Sequence, residues 1–159
     1  MIQDIEIRQV AREFGVPEST IEKDYALSWI LNALFQHTDL IVLKGGTGIR
    51  KIYVHNYRFS EDLDFTMLKN IDLAEVGEII KKTIKTAKKS SGINFHDEIR
   101  LKENINGYEV NAYFRILRQN GNPLRIKFDL TKPEKEKVMM LVESQGNIIP
   151  RSNKSEHFQ

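Results

Sequence analysis

Leu43-Lys-Gly-Gly-Thr-Gly48 and Asp62-Leu-Asp-Phe-Thr-Met67, with fourteen residues between Thr47 and Asp62, decide how this chain is read. The first stretch closes Leu40-Ile-Val-Leu43, a short, wholly apolar, β-branched run of the kind found in strands buried on both faces. The second alternates acid and apolar residues with the period of a strand. Alternate side chains of a strand share a face, so Asp62 and Asp64 stand roughly 6–7 Å apart at Cα with converging carboxylates. Two ionised acids so placed repel unless a cation lies between them, and hard oxygen ligands suit Mg²⁺. Leu63 and Phe65 point the other way and anchor the strand in a core.

The glycine turn offers the complementary half of a phosphate site. Gly45 and Gly46 let backbone N–H groups approach an anion closely, and a short helix over 47–53 adds partial positive charge at its start. The Thr47 hydroxyl supplies a further donor. The bland alternative is a simple strand-to-helix turn. The spacing is not that of a Walker loop. A third carboxylate, Asp129 in Ile126-Lys-Phe-Asp-Leu130, completes a two-metal set with Asp62 and Asp64 if its strand joins the same sheet, and Lys127 then faces the same way to neutralise a triphosphate. Arg58 and Ser60 precede the acids; they either contact the nucleotide, Arg58 through its planar fork, or only decorate a loop. Together these residues specify metal-assisted phosphoryl transfer, with Asp62, Asp64 and Asp129 as metal ligands and catalytic acids.

Outward from this centre the chain reads as one domain. The spacing of Ile7, Val10, Ala11 and Phe14 predicts an amphipathic helix stopped by Gly15 and Pro17. Ser19 and Glu22 resemble a capping box for a second helix to about Gln36, with Ile21, Tyr25, Trp29 and Ala33 as its apolar stripe and Trp29 in the core. Glu22, Lys23 and Asp24 read by themselves as exposed. A third helix runs from Asp72 to Lys89, acids early and lysines late, as the helix dipole favours; Lys81, Lys82, Lys85, Lys88 and Lys89 are read as a solvated face. From Ile93 to Thr131 the period changes to two, and Asn106-Gly107 between alternating runs signals a hairpin in a three-stranded antiparallel meander. Arg115, Arg118, Arg125 and Lys127 form a basic track if they share the acids' face and ordinary surface charge if they do not.

Composition bounds the rest. The 159 residues, 40% hydrophobic and 29% charged with 9 Gly and 4 Pro, are ordinary globular usage. The absence of Cys excludes a disulfide scaffold, a thiolate metal site and a cysteine nucleophile. Lys and Arg number 24 against 22 acids, a net charge of +2, so affinity for nucleic acid must come from local clustering. The four histidines show no ligand spacing. No signal peptide opens the chain and no apolar run is long enough to span a bilayer, so the cytoplasm is the expected location and no membrane partner is expected.

Lys44-Gly-Gly-Thr47 and Arg58-Phe-Ser-Glu-Asp-Leu-Asp-Phe65, preceded by Ile21-Glu-Lys-Asp-Tyr25, resemble the nucleotidyltransferase family of AbiEii/AbiGii-type toxins of type IV toxin–antitoxin and phage-abortive systems. The likeness covers about residues 17–67 and the strand at 126–130. It implies an α/β (α+β) nucleotidyltransferase-like mixed sheet flanked by helices, here with an antiparallel β-meander extension. It also implies Mg²⁺, transfer of a nucleotide from an NTP to an acceptor hydroxyl on a tRNA 3′ end or a protein, and a cognate antitoxin. By position, Gly46 and Thr47 would clasp the triphosphate, Asp62 and Asp64 bind metal, and Asp129 activate the acceptor; Lys23 or Asp24 would line the cleft. The expected organisation is a nucleotidyltransferase-like domain over 1–150, built from a helical pair (1–37), clasp and Asp-x-Asp strand (40–67), helix (71–90) and meander (93–131). Family members usually continue past the polar tail 151–159 into a helical region, so the tail is expected to mark either a truncation of that longer architecture or a natural minimal or decayed member. The alternative is a catalytically incomplete nucleotide-binding or interaction module of the same fold.

Overall fold

The computed structural model describes residues 2–44 and 62–133. The expected glycine cradle at 45–47 and short helix over 47–53, together with Arg58, Ser60 and the tail 151–159, lie outside the described residues. The elements, in order, are α1 (Asp4–Phe14), α2 (Glu18–His37), β1 (Ile41–Lys44), β2 (Asp62–Met67), α3 (Leu73–Ser91), β3 (Asn94–Phe95), β4 (Arg100–Asn104), β5 (Gly107–Arg115) and β6 (Leu124–Thr131).

The helices begin and end where backbone chemistry requires. Gly15 takes a left-handed φ of 64° and its N–H caps the carbonyls of α1. Of the expected stripe, Ile7 and Ala11 are buried but Phe14 stays 45% exposed, because α1 leans on α2 through a narrow strip at the very end of which Phe14 falls. The capping box at Ser19 and Glu22 does not form. Pro17 occupies the cap position and Ser19 is already inside the first turn, which the fixed proline φ favours. α2 buries Ile21, Ala26, Leu27, Ile30 and Leu34 around much of its circumference, since it lies between α1, α3 and the sheet. Trp29 is only half-buried, edge-on to Tyr25 at 6.3 Å. α3 is capped by the Asp72 carboxylate, which accepts from the Glu75 N–H at 2.7 Å, and its five lysines are all exposed.

The strands form one mixed sheet in the order β1-β2-β6-β5-β3, with β4 also paired to β5. β2 and β6 run parallel, and every other pairing is antiparallel. The first strand of the expected meander is interrupted: β3 pairs with the end of β5 and β4 with its beginning. The hairpin loop is Ile105-Asn106, with Gly107 as the first residue of β5 rather than part of the turn. Asn104 explains this shift, because its Oδ1 accepts from the N–H groups of both Asn106 (3.0 Å) and Gly107 (2.9 Å) and so closes the loop one residue early.

One face of the sheet carries Leu43, Leu63, Phe65, Val110, Phe114, Ile126, Phe128 and Leu130, all buried in a single core with α2 and α3. Phe65 and Phe128 stack at 6.4 Å across the β2–β6 junction. That contact locks the two acid-bearing strands side by side, each fully buried aromatic contributing roughly 1.5–3 kcal/mol.

Candidate functional site

The sheet face opposite the core is polar, and its register fixes the site. Asp64 pairs directly with Asp129 across the parallel β2–β6 ladder, and Asp62 pairs with Lys127. In-register partners project to the same side. The three acids foreseen from sequence therefore share one face of two adjacent strands, and Lys127 lies among them. The rung through Asp64 extends in both directions, with Lys44 on β1, Glu109 opposite Asp129 on β5, and Lys102 opposite Glu109 on β4. Read across five strands, the rung is a cation, three carboxylates and a cation.

The surroundings act on Asp64 and Glu109 in opposite directions. Burial and the neighbouring Asp129 carboxylate hold the Asp64 carboxyl above its ordinary value, against the opposing pull of Lys44 and Lys127. Lys127 Nζ stands 3.6 Å from Asp129 Oδ2, both side chains about one-third exposed. Lys44 Nζ donates to Thr131 Oγ1 at 2.9 Å. Glu109 accepts from Asn111 Nδ2 at 3.0 Å, and that bond holds its carboxyl below the ordinary glutamate value.

The donor set suits a hard divalent cation, because adjacent carboxylates whose charges resist coexistence are stabilised by one. Among the described residues, no three of His, Cys, Asp or Glu stand close enough together to hold a metal ion, so the acids share a face without forming a closed ligand cage.

Glu109 and Lys44 were not foreseen as site residues. The signal for Glu109 was present in the alternation Tyr108-Glu-Val-Asn-Ala-Tyr113, but only the register places it beside Asp129. Of the four basic residues on the meander, Arg115, Arg125 and Lys127 fall on the acids' face by register, whereas Arg118 lies beyond the end of β5. The expectation that Glu22 and Asp24 are exposed is corrected, since they are only 5% and 1% exposed. Glu22 reaches the far end of β5, where Oε1 accepts from the Leu117 N–H at 2.8 Å, and burial raises its carboxyl above the usual range. A cleft of about 510 Å³ opens there, lined by Glu18, Ser19, Glu22, Arg115, Arg118 and Asn122 among others.

A strand pair that presents an Asp-x-Asp and a third acid in register, with helices packed on the opposite face, is the arrangement against which similarity to known proteins can be judged. Residues 29–144 match the AbiEii family, described as nucleotidyl transferase toxins of type IV toxin–antitoxin systems. The chain belongs to the AbiEii family. Its fold is similar to the crystal structure of a "putative nucleotidyltransferase" from H. pylori, with a TM-score of 0.55 and 21% identity over 76% of this chain and 50% of that one. The AbiEii chain thus spans about half the length of that protein. No curated protein matches the sequence. Among the described residues, no helix of this family member is long and apolar enough to cross a membrane.

Proposed function

We propose that this AbiEii-family chain carries the catalytic face of a nucleotidyltransferase, in which an acceptor hydroxyl attacks the α-phosphate of an NTP and pyrophosphate leaves. The observation that supports this most directly is the in-register pairing of Asp64 with Asp129, with Asp62 on the same face of the same two strands. Asp62, Asp64 and Asp129 would hold Mg²⁺, which would supply charge neutralisation at the phosphates and at the attacking oxygen. Lys127 faces Asp62 across the ladder and is positioned to meet phosphate charge, as is Lys44 at the end of β1. Asp129, the one of the three acids on the strand next to β5, is assigned to take the acceptor proton, with Glu109 beside it. Gly45, Gly46 and Thr47 follow Lys44 in sequence and are assigned to the triphosphate, with Arg58 and Ser60 as further nucleotide contacts. The acceptor is a tRNA 3′ end or a protein hydroxyl. The setting is cytoplasmic, in a toxin–antitoxin or phage-defence system with a cognate antitoxin as partner.

Incubation with labelled NTPs, Mg²⁺ and total cellular RNA or protein tests the reading. Wild-type protein transfers label to an acceptor, and Asp62→Asn loses at least a hundredfold in rate while keeping its circular dichroism spectrum and melting temperature within a few degrees. Equal labelling by the two proteins rejects the assignment. A second reading, a nucleotide-binding module without transfer, is favoured by the lack of a closed ligand trio among the described residues. It predicts NTP binding with no label transfer.

A further inference from the structure

The polar face does not end at the acids. Two and four residues along from Glu109 on β5, Asn111 and Tyr113 project to the same side, and Lys127 and Arg125 on β6 are their direct partners. On the other flank of β5, Arg100 of β4 pairs with Asn111, and its guanidinium lies 5.8 Å from the centre of the Tyr113 ring. Arg115 continues the row at the end of β5, where its Nη1 is buried with no hydrogen-bond partner. Arg100 and Arg125 are exposed and Tyr113 is half-exposed. The face is thus divided: carboxylates at one end, and at the other an aromatic ring between two arginines, with Lys127 and Asn111 between them.

Resting on the nucleotidyltransferase reading, we propose that Tyr113 with Arg100 and Arg125 is the seat of a single-stranded nucleic acid acceptor, its terminal bases on the Tyr113–Arg100 platform and its phosphates on Arg125 and Lys127. An aromatic ring flanked by guanidinium groups is the arrangement on which unpaired bases stack, and it offers a protein acceptor no comparable complementarity. The charge fits the same occupant. The molecule as a whole carries only +2, so cations gathered on one side of a sheet beside the acids form a local field that attracts a polyanion and directs its end toward Asp129. The distance is also suitable: from Tyr113 to Glu109 is four strand residues, roughly 13 Å. The five exposed lysines of α3 are the other basic cluster among the described residues, but that helix packs on the core face and cannot lead a strand to the acids.

The test is the binding of a short, fluorescein-labelled single-stranded RNA to the full chain without NTP, followed by fluorescence anisotropy, alongside the corresponding duplex. The single strand is expected to bind more tightly than the duplex. Tyr113→Leu weakens it about tenfold or more, and Tyr113→Phe restores it to within a few-fold of wild type. Arg125→Ala weakens it and reduces the slope of log K against log salt by about one. Lys85→Ala on α3 leaves it unchanged. The proposal is overturned if Tyr113→Leu binds as tightly as wild type, if Lys85→Ala loses as much as Arg125→Ala, if only the duplex binds, or if Tyr113→Leu impairs NTP binding instead. Binding is read without chemistry, so the two assignments fail separately. RNA bound through Tyr113 with no nucleotide transfer by wild type sinks the enzyme reading alone, and transfer to RNA with an unchanged KM in Tyr113→Leu sinks the platform alone.

Discussion

Asp64 shows what a carboxylate set beside other acids costs a small domain. It is half-buried, flanked in register by Asp129 and Lys44, and its carboxyl is held above the ordinary aspartate value chiefly by burial and then by Asp129. A folded-state value above the unfolded one means that the folded chain binds the proton more tightly. Stability therefore falls as pH rises from the ordinary value of 3.8 up to the raised one, and the penalty stays in full at neutral pH. Asp64→Asn removes the charge but keeps the shape. The variant is expected to melt above wild type at pH 7, with the difference shrinking to nothing below the ordinary aspartate value, and Mg²⁺ is expected to raise the melting temperature of wild type more than that of the variant. Calorimetry across that pH range, with and without Mg²⁺, checks both. A variant less stable than wild type at pH 7 would show that Lys44 and Lys127 outweigh burial and Asp129.

At the scale of the element, β5 is the strand on which the site's geometry turns, because it brings Glu109 to Asp129 and Tyr113 to Arg125. Its register is pinned at Gly107. That residue has a φ of 154°, and a Cβ there would lie 1.9 Å from the Leu130 carbonyl oxygen on β6. No side chain fits without parting the two strands. Gly107→Ala is expected to destabilise the protein by about 2–4 kcal/mol in urea unfolding, and to shift amide resonances along β5 and β6 more than those of α1. Asn104 secures the same corner from the other side through its two backbone contacts. The alternation of β5 was legible beforehand; that Gly107 opens the strand instead of turning the hairpin was not, because the side chain of Asn104 closes the loop.

Across the whole molecule, Glu22 ties the helical layer to the sheet, reaching from the first turns of α2 to the Leu117 N–H just past β5. Glu22→Ala strands that N–H and is expected to cost about 1–3 kcal/mol, whereas Glu22→Gln keeps an acceptor and sheds a carboxyl raised by burial, so it should equal or exceed wild type at neutral pH. Denaturant melts of the two variants separate a hydrogen-bonding role from an electrostatic one. If both variants lose equally, the contact stabilises through its charge. Sequence reasoning put Glu22 on the surface, where a charged side chain pairs with neighbouring turns; its burial arises from a segment 95 positions away.

The chain's own residues dictated the periods. A β-branched run, an acid–apolar alternation, a lysine-weighted helix and a change of period after Gly92 follow from local sterics and from which side chains leave water, and they marked out the main elements and three acids read as a cation site. Tertiary structure decided the pairings. That β6 lies parallel to β2 and not beside β1, that Glu109 and Lys44 join the acids' rung, and that three of the meander's four basic residues face the same side all depend on register between distant strands. Register is set by how Phe65 and Phe128 pack under the sheet, a contact between residues far apart in the chain. A strand's period fixes which side chains share a face; only packing fixes which other strand that face adjoins.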